Sequence, residues 1–171
     1  MSILKVDTIN EKTSGNGVHI AGHTLQTVHG TTSTQVDMTA LNTWTNIYTN
    51  LATITPKSAS SKILITGVIS FYYSSVTTNF GHFRTDLAIN RNSTLLGEIM
   101  GYSGWMDTGS TISPMINIPF TYLDSPASTS TLDYGFSARV NDYGSSSSVN
   151  FSYDDGGGDQ RSSFVLQEIA Q

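Results

Sequence analysis

The 171-residue chain predicts an all-β fold, a jelly-roll sandwich, and three observations carry that expectation. Hydrophobic residues alternate with polar ones at a period of two, turn-forming clusters recur at short spacing, and no stretch carries a convincing apolar stripe at helical period. "TLDYGFSARV" shows the alternation best, with Leu132, Tyr134, Phe136, Ala138 and Val140 on one face and Asp133, Gly135, Ser137 and Arg139 on the other. "SKILITGVISFYYSS" places Ile63, Ile65, Ile69 and Phe71 on one face and Leu64, Val68 and Tyr72 on the other. Apolar residues on both faces of one strand are more than a single sandwich core requires, so the second face is expected to meet another sheet region or another subunit.

Further strands are expected in "TLQTVHG", "WTNIYTNLATIT", "FGHFRTDLAIN", "STLLGEIM", "PMINIPFTYL", "SVNFSYD" and "SFVLQEIA". Between them lie joints such as "PKSAS", "NRNS", "SGWMDTGS", "LDSPAS", "NDYGSSSS" and "DDGGGDQ", rich in the residues that favour turns. The segment "VDMTALNTWTNIY" has Met38, Leu41, Trp44 and Tyr48 near helical spacing, but its Thr and Asn content favours strand or loop.

Composition narrows the function. Only 12% of residues are charged, whereas Ser and Thr number 24 and 23, so hydroxyls and amides solubilise the surface. A net charge of -5 with eight scattered Lys and Arg argues against nucleic acid, whose affinity comes from clustered cations. There is no cysteine, hence no disulfide and no thiolate metal site. The first twenty residues lack a basic region followed by an apolar run, and nowhere do about eighteen apolar residues follow one another, so neither a secretion signal nor membrane insertion is expected.

The opening, "MSILKVDTINEKTSGNGVHIAG", holds Ile3, Leu4, Val6, Ile9, Val18 and Ile20 around a turn at Gly15 and Gly17. Two short strand-like pieces cannot bury enough apolar surface to hold a fold alone. They form a first hairpin on their own domain, a loose terminus, or an arm that pairs with neighbouring chains or a larger assembly. The expected organisation is an N-terminal anchoring arm over residues 1–22 and a jelly-roll domain over residues 23–171.

Three pieces, "ILKVDTINEKTSGNGVHIAG", "ATITPKSASSKILI" and "SSFVLQEIA", resemble a family of virion proteins common in marine and cyanobacterial phages. Members look like tail-fibre or other virion-surface appendage proteins, with a short N-terminal anchor and a C-terminal trimeric jelly roll similar to tumour necrosis factor and complement-head domains. The resemblance implies that Ile3 to Ile20 anchor the protein and that Thr55 to Ile65 form the turn and strand entering the sandwich. It also implies that "FVLQEIA" runs beside a three-fold axis, with Phe164, Leu166 and Ile169 at the trimer interface. The implied partners are the chain itself, as a homotrimer, and other phage virion proteins reached through the arm. The implied location is the virion, assembled in the host cytoplasm, and the alternative role is a capsid decoration or head appendage with a purely structural task.

An enzyme reading is not supported. His19 and His23 are four apart, but flanking glycines remove the helix that would make that spacing chelating. His29 and His82 stand alone; on a three-fold axis any of the four would form a ring of three imidazoles able to hold a metal or an anion. "YDDGGGDQR" lacks the closing glutamate and the alternating oxygen ligands of a calcium loop, and reads as a turn. "GYSGW" lacks the second glycine of a hydrolase nucleophile elbow, no phosphate-loop pattern occurs, and no carboxylate pair marks a polysaccharide-cleaving enzyme. No cofactor is expected. Aromatic residues beside carboxylates remain, on expected joints: Tyr102, Trp105, Asp107, Asp142, Tyr143, Tyr153 and Asp154. Such sets build sugar sites, an aromatic ring covering the apolar face of the sugar and carboxylates its hydroxyls, so a host-surface glycan is a candidate ligand. The plainer reading is that the rings cover the ends of the sandwich.

Overall fold

The computed structural model describes residues 10, 20–74, 76–77, 81–106, 111–112, 115–142, 148–152 and 160–171, and none of these is helical. The strands are β1 (Thr24–Thr32), β2 (Val36–Met38), β3 (Thr45–Ile54), β4 (Lys62–Ser74), β5 (Val76–Thr77), β6 (Gly81–Arg91), β7 (Thr94–Met106), β8 (Thr111–Ile112), β9 (Met115–Asp124), β10 (Leu132–Asp142), β11 (Ser148–Phe151) and β12 (Ser162–Ile169). Each segment expected from alternation is a strand. The segment of ambiguous period contributes β2, an isolated bridge from Leu41 to Val140, and the start of β3.

Pairing organises these strands into two antiparallel sheets. In the first, β4 carries β9 along one edge and, along the other, β12 over its first half and β11 over its second. β1 pairs with β12 and β2 with β11, so β1 and β2 act as one interrupted strand beside another. The second sheet has the order β3-β10-β6-β7, and β5 and β8 pair apart from both. With β1–β2 and β11–β12 each taken as one interrupted strand and β5 and β8 set aside, the chain alternates between the two sheets at every connection except the β6–β7 hairpin. Two four-deep antiparallel sheets linked by such crossovers constitute a jelly roll.

The break between β11 and β12 has a clear cause. Register jumps from Phe151 opposite Phe71 to Ser163 opposite Val68. Three buried serines close the gap: Ser162 Oγ accepts from the Ser70 amide (3.1 Å), the Ser152 amide donates to the Ser70 carbonyl (3.0 Å), and Ser152 Oγ donates to Ser162 Oγ (3.1 Å). Ser152 takes φ = 52°, which turns the chain out of the strand. Hydroxyls here replace the ladder bonds that the departing backbone gives up.

The core lies between the inner faces and follows the alternation. Leu132, Tyr134, Phe136, Ala138 and Val140 of β10 are buried, as are Ile63, Ile65, Ile69, Phe71 and Tyr73 of β4. Rings of Phe71, Phe136, Phe151 and Phe164 touch in series. One flank is shut where β1 crosses β3: a Cβ at Gly30 would fall within the van der Waals radius of the Leu51 carbonyl oxygen. Gly30→Ala is therefore expected to cost about 2 kcal/mol as β1 lifts from β3, measurable as a lower denaturation midpoint. The opposite flank stays open as a crevice of about 320 Å³ lined by Ile99, Met100, Pro119, Phe120 and Thr121.

The terminal strand corrects one expectation. Phe164 and Leu166, expected beside a three-fold axis, are 0% exposed in the core of the single chain, and Phe164 packs on Phe120 at 4.9 Å. Ile169 has the opposite parity and points outward with Val165 and Gln167. A period of two puts residues an odd number apart on opposite faces, so the three could not share one surface.

Candidate binding loops and sheet faces

The strand ends sort the connections into two groups. Around Thr24, Ile54, Lys62, Arg91, Thr94, Asp124, Leu132 and Ile169 lie the chain before β1, the C-terminus and connections 55–61, 92–93 and 125–131. Connections 39–44, 107–110 and 143–147 leave from the other end, where β5 and β8 tie the β4–β6 and β7–β9 connections together. Ile20 and the ends of β7 and β10 thus lie at opposite ends of the sandwich.

Of the arm residues, Ile3, Leu4, Val6, Ile9 and Val18 lie outside the described residues. Ile20 is 40% exposed and starts a turn: its carbonyl accepts from the His23 amide at 3.0 Å, with Gly22 at φ = 82°. The Gly22 amide then donates to the Ala170 carbonyl at 2.8 Å, which ties the two chain ends together.

Of the loop candidates, Tyr102 is not on a loop. It sits in β7 and turns inward, its ring 6.2 Å from that of Phe71 and 6.3 Å from that of Tyr73. The backbone of Trp105 pairs with His82 near the end of β7, and that of Asp142 with Phe83 at the end of β10. Asp107, Tyr143, Tyr153 and Asp154 lie outside the described residues. The strand preceding Tyr153 and Asp154 stops at the β11–β12 break, part-way along the sheet. Among the described residues no three His, Cys, Asp or Glu side chains come together to hold a metal ion. His29 stands in β1 and His23 in the turn just before it.

Two carboxylates that the sequence did not single out are central instead. Asp86, on the outer face of β6, is 1% exposed. Oδ1 accepts from Arg84 Nε (2.5 Å), and Oδ2 accepts from Arg139 Nη2 (2.7 Å) and Asn141 Nδ2 (2.8 Å). Arg139 also stacks on Trp44, 4.9 Å from the ring centroid, and reaches Glu98 at 3.6 Å. Burial pushes the Asp86 pKa up, but the hydrogen bonds from Arg139, Arg84 and Asn141 outweigh it and hold the carboxyl below its ordinary value. A depressed carboxylate stabilises the fold above its unfolded-state pKa and loses that contribution as pH falls through the folded-state value. Acid should therefore weaken the protein below about pH 4, the usual carboxylate range. Asp86→Asn is expected to cost about 2 kcal/mol at neutral pH, since both arginines remain partly solvated, and to flatten the acid limb of a denaturation-midpoint-against-pH curve.

Glu168 is the second, 0% exposed at the arm end. Its Oε1 accepts the amides of Lys57 (2.8 Å) and Ser58 (3.2 Å), and Oε2 accepts Gln26 Nε2 at 2.7 Å. The "TPKSAS" joint and the "FVLQEIA" ending are thus held together by one carboxylate. Close by, Asp124 Oδ2 accepts from Arg91 Nη1 and Tyr134 Oη, both at 2.6 Å.

The outer faces of the two sheets differ in kind. That of the β3-β10-β6-β7 sheet carries Arg84, Asp86, Glu98 and Arg139 in mutual contact. Across β4 and β9, the outer face of the first sheet shows cross-strand pairs Leu64–Leu123, Thr66–Thr121, Val68–Pro119, Ser70–Asn117 and Tyr72–Met115. Val165, Gln167 and Ile169 of β12 continue it. Lys62 stands at its arm end and Asp37 at the other, and exposed Arg161 lies between them, its carbonyl accepting from Ser70 Oγ.

No protein-family model and no curated protein sequence matches the chain. Among solved structures it is similar to infectious bursal disease virus Gx strain, with TM-score 0.32 and 11% identity over 98% of this chain and 43% of that one. It is also similar to the VP2 subviral particle of infectious bursal disease virus (TM-score 0.32, 12% identity, 86% of this chain and 38% of that one). A marine algae virus of the order Picornavirales aligns at TM-score 0.22 and 13% identity, over 100% of this chain and 81% of that one. The chain spans less than half the length of the first two. Likenesses of this size carry no argument about fold or role, and the jelly roll rests on the strand pairing itself.

Proposed function

We propose that the chain is a non-enzymatic structural protein of a phage virion: a homotrimeric tail-fibre or tail-appendage component, held to the particle by its N-terminal arm and contributing to recognition of host-surface carbohydrate. The observation that carries this reading is the separation of the two ends. Gly22, just after Ile20, is tied to Ala170 at one end, while Trp105 and Asp142 lie where β7 and β10 finish at the far end. A module that must be held at one end and touch something with the other needs that polarity. Loops at the far end vary at little cost to the core, and three copies engaging a repetitive surface together convert weak contacts into strong attachment.

Deleting residues 1–19 leaves the turn at Ile20 and every described strand in place. The truncated chain is expected to keep its denaturation midpoint and to be missing from purified particles; particles that retain it at the normal level would contradict the arm's role. Imaging of labelled intact particles then separates tail from head, and density on the head would replace the tail assignment with capsid decoration. Trp105→Ala is expected to reduce adsorption of otherwise intact virions, and unchanged adsorption would remove Trp105 from the recognition surface.

A further inference from the structure

We infer that the outer face of the β3-β10-β6-β7 sheet holds a site for a carboxylate-bearing saccharide, a uronic acid unit of a surface glycan, received by Arg139. The inference rests on the carbohydrate-recognition reading above and gives it a further contact, on a sheet face, with a stated ligand chemistry. What carries it is the way Arg139 divides its two hydrogen-bonding edges. The edge formed by Nε and Nη2 is spent on buried Asp86, both nitrogens donating to Oδ2, at 3.2 and 2.7 Å. Trp44 holds the guanidinium plane from one side, its ring centroid 4.9 Å away. The edge formed by Nη1 and Nη2 stays open: Nη1 makes no hydrogen bond among the described residues, and Glu98 Oε1 stops 3.6 Å from Nη2, beyond hydrogen-bond reach. Arg139 is 30% exposed and Glu98 54%. A mobile-length carboxylate from β7 thus already stands at the open edge without closing on it.

Neutralising Asp86 does not require all of this. Arg84 Nε and Asn141 Nδ2 also donate to the same carboxylate, at 2.5 and 2.8 Å, so Arg139 adds a cation beyond the one that balances it. A guanidinium fixed in its plane receives a planar carboxylate through two parallel bonds at little cost in lost freedom. The net charge of -5 does not oppose an acidic ligand here, because charges farther off than about 8 Å are largely screened at physiological ionic strength. Access is open on the β7 side, where Gly101 opposite Asp86 carries no side chain and Ser103 opposite Arg84 a short one, both exposed. On the β3 side half-buried Trp44 stands among exposed Asn42, Thr43 and Asn46. One open cationic fork beside an aromatic ring, amides and a hydroxyl matches what a uronic acid presents: one carboxylate, an apolar ring face and hydroxyls. An acidic protein segment presents carboxylates in succession, for which a single fork is a poor match.

Calorimetric titration of the full-length chain with trigalacturonate and with its methyl ester, the same sugar without its charges, tests the site. The wild type is expected to bind the acid about tenfold more tightly than the ester. Glu98→Gln removes the competing carboxylate at an exposed position and is expected to tighten binding of the acid about threefold, a response that an arginine serving Asp86 alone would not give. Arg139→Gln is expected to bring the acid down to the affinity of the ester; its denaturation midpoint is measured alongside, because Asp86 loses a partner as well. No binding of the acid by the wild type, equal affinity for acid and ester, or an acid affinity unchanged in Glu98→Gln would overturn the site. Polyglutamate bound as tightly as trigalacturonate, with the same response to Glu98→Gln, would overturn the saccharide in favour of an acidic protein segment. Acid and ester bound alike, and both lost in Trp105→Ala, would overturn this site while carbohydrate recognition at the strand ends stands.

Discussion

Phe164→Ala is expected to destabilise the chain by about 4 kcal/mol, the cost of removing a large buried ring and leaving a cavity that its surroundings only partly fill. Phe164 is fully buried, edge-on to Phe120 at 4.9 Å and tilted against Phe136 at 6.3 Å, so its removal opens a gap between the two sheets. The signature separates a core role from a place on a symmetry axis. A core residue lowers the denaturation midpoint at every protein concentration, whereas an axis residue acts through association, and its effect grows on dilution. Chemical denaturation of wild type and variant over a hundredfold concentration range checks this; a loss under 1 kcal/mol, or one that appears only on dilution, would return Phe164 to an interface.

Glu168→Leu is expected to cost about 3 kcal/mol. The substitution removes charge-assisted bonds to the Lys57 and Ser58 amides and strands both donors in a closed site. Gln26 Nε2 keeps its bond to the Thr55 carbonyl at 2.7 Å, so the joint loosens at Lys57 and Ser58 first. Amide hydrogen exchange should show those two positions losing protection before β4 or β12 does. Glu168→Gln retains one acceptor oxygen and is expected to cost less than half as much. Equal stability of Glu168→Leu and wild type would show that solvent satisfies the joint unaided.

Much of the architecture could be read from period and turn chemistry. Strands with one buried face, such as Leu132–Asp142, declare themselves because water rejects every second side chain. β2, β5 and β8 did not, since two or three residues are too few to show a period. The second half of β7, "GYSGWM", resembles a turn by composition, yet β7 is a bulged edge strand whose Gly101 leaves room for Asp86, whose Oδ1 a Cβ there would approach to 2.8 Å. The terminal strand was found but its facing was misassigned, since apolar Phe164, Val165 and Leu166 in succession hide the parity that Glu168 would have been expected to set the other way. A glutamate at an inward position reads as an outward one until the Lys57 and Ser58 amides that receive it are seen. The Asp86 cluster escaped for a similar reason: Arg84, Arg139 and Trp44 lie far apart in sequence, and only pairing of β10 with β6 brings Arg139 opposite Asp86.

The resemblance acquires a physical meaning in these contacts. "TPKSAS" and "FVLQEIA" meet at Glu168, and Gly22, the last residue of the opening motif, is tied to Ala170 at the same end. On the proposed reading this is the attachment end of the module, and the connections at the opposite end belong to no such pattern.

Light scattering of the intact, full-length wild-type chain at micromolar concentration tests the central claim, that this sandwich works as a shared structure rather than alone. The account predicts a single species of three times 18.5 kDa. A homogeneous species of 18.5 kDa, unchanged as concentration rises, would contradict it.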